Sequence, residues 1–312
     1  MIYIITENSD SSTDKVLSYL IGNIDFVRIN NDRFTKISYK ISNNEIIIKI
    51  DKKKLNLTDK IWIRRARFSF FPNFNIDSVI NNYLSKEENS INKSLELFLK
   101  DNYDLTGSYL KEVENYKLTN LVIARNCGFK IPNSLITTSK KDILLFYKKY
   151  KNIITKDIRY SPTLKYKDYI YTSNGTLKVQ KKDLNKLKKS FFPIFFQQEI
   201  KKQIEIRVFI FKKKVFSMAI FSQSSKTTSL DYRNYDKKNP NRLVPFNLPK
   251  QMKNKILKFM KLIDLNTGSI DLILDPKGDY YFLEINPQGQ YDWLSENCNY
   301  YIEQTIAKYL MK

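Results

Sequence analysis

The alternation of apolar and polar positions divides this chain into α/β segments. Met1–Thr6, Asp25–Asn30, Glu45–Asp51 and Lys60–Arg64 are β-rich runs, and Asp14–Ile21 carries a short helical period. Ile76–Tyr103 has a mainly helical pattern. Tyr109–Asn126 predicts a second helix, with Leu110, Val113, Leu118, Leu121 and Val122 near helical spacing. Gly128 fits the position after its end, and Pro132 prevents continuation. Strand, helix and strand follow at Ser134–Thr138, Ser139–Lys149 and Ile153–Lys156, with Ser139 and Asp142 spaced as a capping box. Tyr169–Thr172 and Thr176–Gln180 flank Ser173-Asn174-Gly175, which predicts a hairpin, and Lys181–Lys189 reads as a basic, solvated helix.

Further along, Pro193–Ile200, Gln203–Phe211 and Val215–Ser222 read as strands, with a turn at Lys212-Lys213-Lys214. Ile204, Ile206, Val208 and Ile210 alternate onto one face, and Glu205 and Arg207 share the other. A carboxylate and a guanidinium side by side on a central strand line a polar cleft or pair with each other. Residues 223–248 are polar and loop-like, and so long a loop in a compact domain is usually functional. Pro249–Leu262 is an amphipathic helix, and a last helix covers Glu296–Tyr309.

Between those two helices lies the segment richest in chemistry. Two apolar runs flank Pro276-Lys277-Gly278-Asp279, so a hairpin centred on Lys277-Gly278 puts Asp275 opposite Tyr280 and Asp271 opposite Glu284. Asn286, two residues on, shares their face. Directly opposed side chains stand about 4.5–5.5 Å apart at Cβ, where like charges repel. Two carboxylates and an amide oxygen converging there suit a hard divalent cation. Mg²⁺ fits, held by few protein ligands with substrate phosphates completing its shell.

Composition narrows the chemistry. The 312 residues include no histidine, which removes the Ser-His-Asp triad, the Cys-His dyad and any His-ligated zinc. Carboxylates, Arg, Lys and metal-bound phosphate remain. Cys127 and Cys298 lie far apart and fit a reducing, cytoplasmic setting. No segment approaches about 18 uninterrupted apolar residues, so no membrane span is expected, and the N-terminus reads as a strand rather than a signal peptide. The net charge of +22 is spread over most of the chain, and an anionic cofactor or an acidic peptide explains it as readily as nucleic acid.

In order, these elements resemble an ATP-grasp ligase across nearly the whole chain. The resemblance implies α/β architecture with α+β lobes: a pre-ATP-grasp domain over 1–116, a lid lobe over 117–196 and a C-terminal lobe over 197–312. It implies an adenine hinge in Phe195-Phe196-Gln197-Gln198-Glu199-Ile200, with Gln198, Glu199 and Ile200 at the base. Glu205 matches the ribose carboxylate, Arg207 the cation facing the phosphates and Lys156 a phosphate lysine. Lys165 or Lys167 is the candidate second lysine. Asp271, Glu284 and Asn286 match the magnesium ligands.

A narrower resemblance is to the graspetide (microviridin-type) peptide maturases, in their grasp-with-spasm branch. It rests on Ile61-Trp62-Ile63-Arg64-Arg65, Phe221-Ser222-Gln223-Ser224, Asp231-Tyr232-Arg233, Asn239-Pro240-Asn241-Arg242 and Glu284-Ile285-Asn286-Pro287-Gln288-Gly289-Gln290-Tyr291. It implies ATP and Mg²⁺ as cofactors and a ribosomal precursor peptide with a leader and an acidic core as partner. Arg233 and Asp231 would engage that substrate, and Asp231 would serve as base or orienter. Side-chain carboxylates would be activated as acyl phosphates and joined to Thr/Ser hydroxyls or Lys amines, and the enzyme could be a homodimer. An ATP-grasp ligase joining other molecules, or a nucleic-acid-binding module, are the alternatives. Trp62 is expected in the core, and Arg64 and Arg65 are candidates for a lobe interface.

Overall fold

The computed structural model describes residues 1–70, 77–159, 163–172, 175–224, 230–232 and 240–312. Four parallel strands open the fold, in the spatial order Phe26–Asn30, Ile2–Thr6, Lys60–Ile63, Asp104–Thr106. Every residue of Ile2–Thr6 is buried. A parallel strand covered on both faces needs apolar residues throughout, so its run is continuous rather than alternating. One face, with Tyr3, Ile5, Ile61 and Ile63, packs with Leu95 and Leu99 of the helix Ser78–Asn102. The same cluster takes Ile48 and Ile50 from an antiparallel sheet formed by Ile37–Ile41, Ile46–Ile50 and Lys53–Lys54.

The second antiparallel layer has the order Leu177–Lys178, Ile153–Thr155, Ser190–Gln198, Ser134–Ser139, and Ile143 of the helix Lys140–Tyr150 packs on it. Ser139 caps that helix, accepting from the Asp142 N–H at 3.3 Å. The reciprocal half of the capping box is absent: Asp142 binds the Thr137 hydroxyl at 3.2 Å, and Thr137 takes the Ser139 N–H at 2.9 Å. The hairpin expected across Ser173-Asn174-Gly175 does not form. Tyr169–Thr172 pairs with Thr163–Tyr166 in a separate ribbon turning at Lys167, while Leu177–Lys178 pairs with Ile154 and Thr155. Ser173 and Asn174 themselves lie outside the described residues.

The third layer is a five-stranded antiparallel sheet, ordered Arg242–Pro245, Lys214–Phe221, Ile204–Phe211, Thr267–Leu274, Tyr280–Asn286. Its central strand behaves as its alternation predicts. Ile204, Ile206, Val208 and Ile210 enter a core shared with Leu121, Ala124, Ile256 and Phe259 from the helices Lys117–Asn126 and Lys250–Leu262. The opposite face divides. Phe209 and Phe211 pack with Ile2, Ile4 and Trp62 of the parallel sheet and Ile302 and Ile306 of the C-terminal helix. Glu205 and Arg207, on the same face, line a cleft instead.

Three further expectations need correction. Tyr109–Asn126 is two helices, Tyr109–Val113 and Lys117–Asn126, and in the break the Asn115 amide donates to the Ile285 carbonyl at 2.9 Å. The final helix is also two, Asp292–Cys298 and Ile302–Leu310, separated by left-handed Asn299 and Tyr301. Within the loop-like 223–248 stretch, Arg242–Pro245 forms an edge strand, where a proline's missing N–H can face solvent without loss. Among the described residues no helix is long and apolar enough to cross a membrane.

Candidate active site

The hairpin after residue 267 delivers the expected carboxylate pair by an unexpected route. Its turn is a three-residue loop, with the Asp275 N–H bonded to the Asp279 carbonyl at 3.0 Å. Gly278 takes φ +84°, and Asp275 Oδ1 accepts the N–H groups of Lys277 and Asp279 at 2.9 Å each. Leu274 therefore faces Tyr280, one residue out of the expected register. A bulge then restores the count: Leu272 faces Phe282, Asp271 faces Glu284, and Leu283 is the extra residue. The bulge turns Leu283 toward the same cleft as Glu284, where it joins Ile273.

Beside this pair, Arg207 stands directly opposite Asp271 on the central strand. Its Nη1 reaches both Asp271 oxygens at 3.0 Å. Burial works against the guanidinium charge, but Asp271, then Tyr232 and Glu284, outweigh it and hold the group above its ordinary pKa. The Asn286 amide lies 3.4 Å from Asp271 Oδ2. Glu284 meets Lys117 Nζ at 3.3 Å, and the same ammonium donates to the Asp157 carbonyl at 3.1 Å. Asp271, Glu284 and Asn286 are thus brought together, each carboxylate held by a cation from another element. The donor set is all hard oxygen, which fits Mg²⁺.

Two spaces meet at Asp271 and Tyr232. The first is a narrow cleft of about 70 Å³ lined by Lys156, Gln198, Glu199, Ile200, Glu205, Asp231 and Glu284, so one wall collects most of the nucleotide residues expected from the sequence. The N–H groups of Gln198 and Glu199 are taken by the carbonyls of Asn133 and Asn152, at 2.8 and 3.0 Å. Among the described residues the Ile200 N–H has no backbone partner. Glu205 accepts from Lys202 at 2.8 Å and from the Ser222 hydroxyl at 2.7 Å. Burial pushes its carboxyl up against the pull of Lys202. Glu199 pairs with Lys178 at 2.8 Å.

The second space, about 870 Å³, is lined by Arg65, Glu112, Arg207, Asn286, Gln288 and Trp293 among others. Tyr232 and Trp293 stack there, with ring centroids 6.1 Å apart. Burial raises the pKa of Glu112, against the Gln288 N–H and Arg65. The loop behind this wall is fixed tightly. A Cβ on Gly289 would lie 2.2 Å from the Ser269 hydroxyl, so only glycine fits. Arg64, 5% exposed, donates to the Gln288 and Gly289 carbonyls at 2.9 and 3.3 Å.

Not every candidate converges. Lys165 and Lys167 sit on the exposed ribbon, and neither lines the two spaces. Asp231 lines the narrow cleft, bonded to the Thr176 hydroxyl at 3.2 Å, and is not among the residues of the larger space. Arg233 lies outside the described residues, as does Asn239. Sequence reasoning missed Lys117, Lys202, Glu112 and Leu283. Lys117 and Glu112 reach the site through tertiary packing, and Lys202 and Leu283 through the local turn of the chain at Glu205 and the bulge beside Glu284, neither of which the alternation of apolar and polar residues reveals.

No protein-family model and no curated protein matches the sequence. Solved structures do. One is a RiPP-associated ATP-grasp ligase from Chryseobacterium gregarium, solved with ADP and a leader and core peptide. It is 25% identical, with a TM-score of 0.81 over 99% of this chain and 95% of that one. This chain is an ATP-grasp ligase. The macrocyclase MdnC from Microcystis aeruginosa, solved with its precursor peptide MdnA, is 28% identical to this ligase, with a TM-score of 0.78 over 99% of both chains. The macrocyclase MdnB of the same organism has a TM-score of 0.73 at 20% identity and extends the likeness of fold.

Proposed function

We propose that this ligase matures a ribosomally made precursor peptide, using ATP to activate Asp or Glu side chains and joining them to Thr/Ser hydroxyls or Lys amines. The observation that carries the reading is the shared wall. The Arg207–Asp271 pair borders both the cleft that collects the nucleotide residues and a space roomy enough for a peptide segment. The solved relatives that hold ADP or precursor peptides support it.

A carboxylate does not condense with an alcohol or amine in water, because oxide is a poor leaving group. Phosphorylating it supplies a good one, and that transfer is catalysed mainly by positioning and charge neutralisation. Gln198, Glu199 and Ile200 would hold the adenine, Glu205 the ribose hydroxyls after exchanging Lys202 for them. Lys156 and Lys117 would meet the phosphates. Magnesium, held by Asp271, Glu284 and Asn286, supplies charge neutralisation at the phosphate oxygens. Arg207 would keep Asp271 oriented, and Arg233 would hold the acceptor carboxylate. The net charge of +22 would draw in an acidic core peptide at low salt. Two buried free thiols suit a cytoplasmic site of action.

The test is mass spectrometry of peptides from short acidic reading frames flanking the gene, incubated with the protein, ATP and Mg²⁺. Loss of water from a peptide with matching ADP release is expected. A gain in peptide mass would instead mark a ligase that joins a second molecule.

A further inference from the structure

Glu112 lies in the short helix Tyr109–Val113 and plays no part in the hydrophobic cores. The Gln288 N–H fixes one of its carboxylate oxygens, Oε2, at 3.1 Å. Among the described residues the other oxygen, Oε1, accepts no hydrogen bond. Glu112 lines the peptide-sized space, and it also lines an adjoining space of about 340 Å³ that holds Lys117 and Lys156. Asn286 is on both walls as well. The other charged groups lining these spaces are Arg65, Arg207, Asp271 and Asp292 in the larger one, and Lys117, Lys156, Asp157, Arg159 and Glu284 in the smaller. Its carboxylate therefore stands on the boundary between the large space and the space that holds the two lysines.

We propose that Glu112 is the general base of the condensation step, a role that rests on the ligase reading above. Its unbonded oxygen takes the proton of the attacking hydroxyl or amine as that oxygen or nitrogen bonds to the acyl carbon. The carbon–oxygen bond to phosphate breaks, and inorganic phosphate leaves with the bonding pair. Asp231, the base suggested by the sequence, is held in the nucleotide cleft by Thr176 and lacks this placement. Burial makes Glu112 a stronger base than an exposed carboxylate.

Glu112→Gln separates the two half-reactions, because glutamine's amide oxygen still accepts the Gln288 N–H but cannot take a proton. Wild type and variant are incubated with ATP, Mg²⁺ and peptides from the flanking reading frames, with and without hydroxylamine. Hydroxylamine attacks an acyl phosphate without a base and leaves a hydroxamate. The variant should lose ring closure by about 10²-fold or more while hydroxamate accumulates near the wild-type rate. Unchanged ring closure, or hydroxamate lost in parallel with it, overturns the assignment. A wild-type enzyme that yields neither product tells against the ligase reading itself, and the assignment falls with it.

Discussion

Arg64→Ala should loosen the junction between the parallel sheet and the wall of the peptide-sized space. The guanidinium donates to the carbonyls of Gln288 and Gly289 and to the Ser12 hydroxyl at 3.1 Å. It also lies 3.7 Å from Asp10 and 5.0 Å from the centre of the Tyr291 ring. At 5% exposure, water does not replace these partners. Removing one member of a buried, hydrogen-bonded charge pair costs about 3–5 kcal/mol. Asp10 keeps the hydroxyls of Thr6, Ser12 and Thr13, so the loss should not reach the upper limit. About 4 kcal/mol is expected, which for a chain of 312 residues lowers Tm by about 6 °C at an unfolding entropy of about 2.1 cal/mol/K per residue. Arg65→Ala is the internal control. Its guanidinium is partly exposed and stands 3.6 Å from Glu7, a surface pair worth about 0.5 kcal/mol, or about 1 °C. Scanning calorimetry of the two variants beside wild type gives the answer. If both substitutions cost the same, or Arg64→Ala melts within about 1 °C of wild type, Arg64 does not anchor the junction.

The other predictions concern acid stability and the two halves of the site. Burial raises the Asp10 carboxyl, but Arg64 and three hydroxyls outweigh it, so its folded pKa lies below the ordinary value. Its stabilisation is then complete above the unfolded pKa near about 3.9 and is lost as pH falls through the folded pKa. The urea midpoints of wild type and Asp10→Asn should accordingly converge in acid; a gap that widens there would refute the sign. Leu283→Ala removes the bulged side chain from the nucleotide cleft and should raise the KM for ATP several-fold with little change in melting; an unchanged KM would take Leu283 out of the cleft's working surface. Glu284→Gln should abolish ATP turnover while circular dichroism stays native, since it relieves carboxylate repulsion, and full activity with Mg²⁺ would disprove the proposed metal site.

What was legible in the sequence is what depends on neighbours in sequence. The alternation of Ile204–Ile210 located the central strand and sorted Glu205 and Arg207 onto the cleft face. The Asp271–Glu284 pair was reached from a turn one residue too short, and the bulge at Leu283 cancelled that error. Neither departure leaves a mark in composition, because a three-residue loop and a two-residue turn both use Pro, Lys and Gly. The helix breaks at Glu114–Tyr116 and Asn299–Tyr301 were hidden because helical spacing continues across them; the Asn115 amide donates to the Ile285 carbonyl at one break, and the Ser295 hydroxyl accepts the Ile302 N–H at the other. Lys117 and Glu112 could not be read at all. A basic and an acidic residue at the ends of two short helices look like solvated surface until the fold sets Glu284 and Gln288 beside them.

The core that joins the parallel sheet to the five-stranded sheet has a consequence for the order in which the chain can fold. Ile2, Ile4 and Trp62 share that core with Phe209 and with Ile302, Ile306 and Leu310. A nascent chain leaving the ribosome therefore presents the apolar face of its first sheet long before the helix that covers it has been made. The N-terminal segment must wait, shielded by a chaperone or by loose collapse, and only then close in a step that also sets Arg64 against the Gln288–Tyr291 loop. Synthesis in two separate pieces, split after the second antiparallel layer, should for the same reason yield fragments that are insoluble apart and gain solubility when co-expressed.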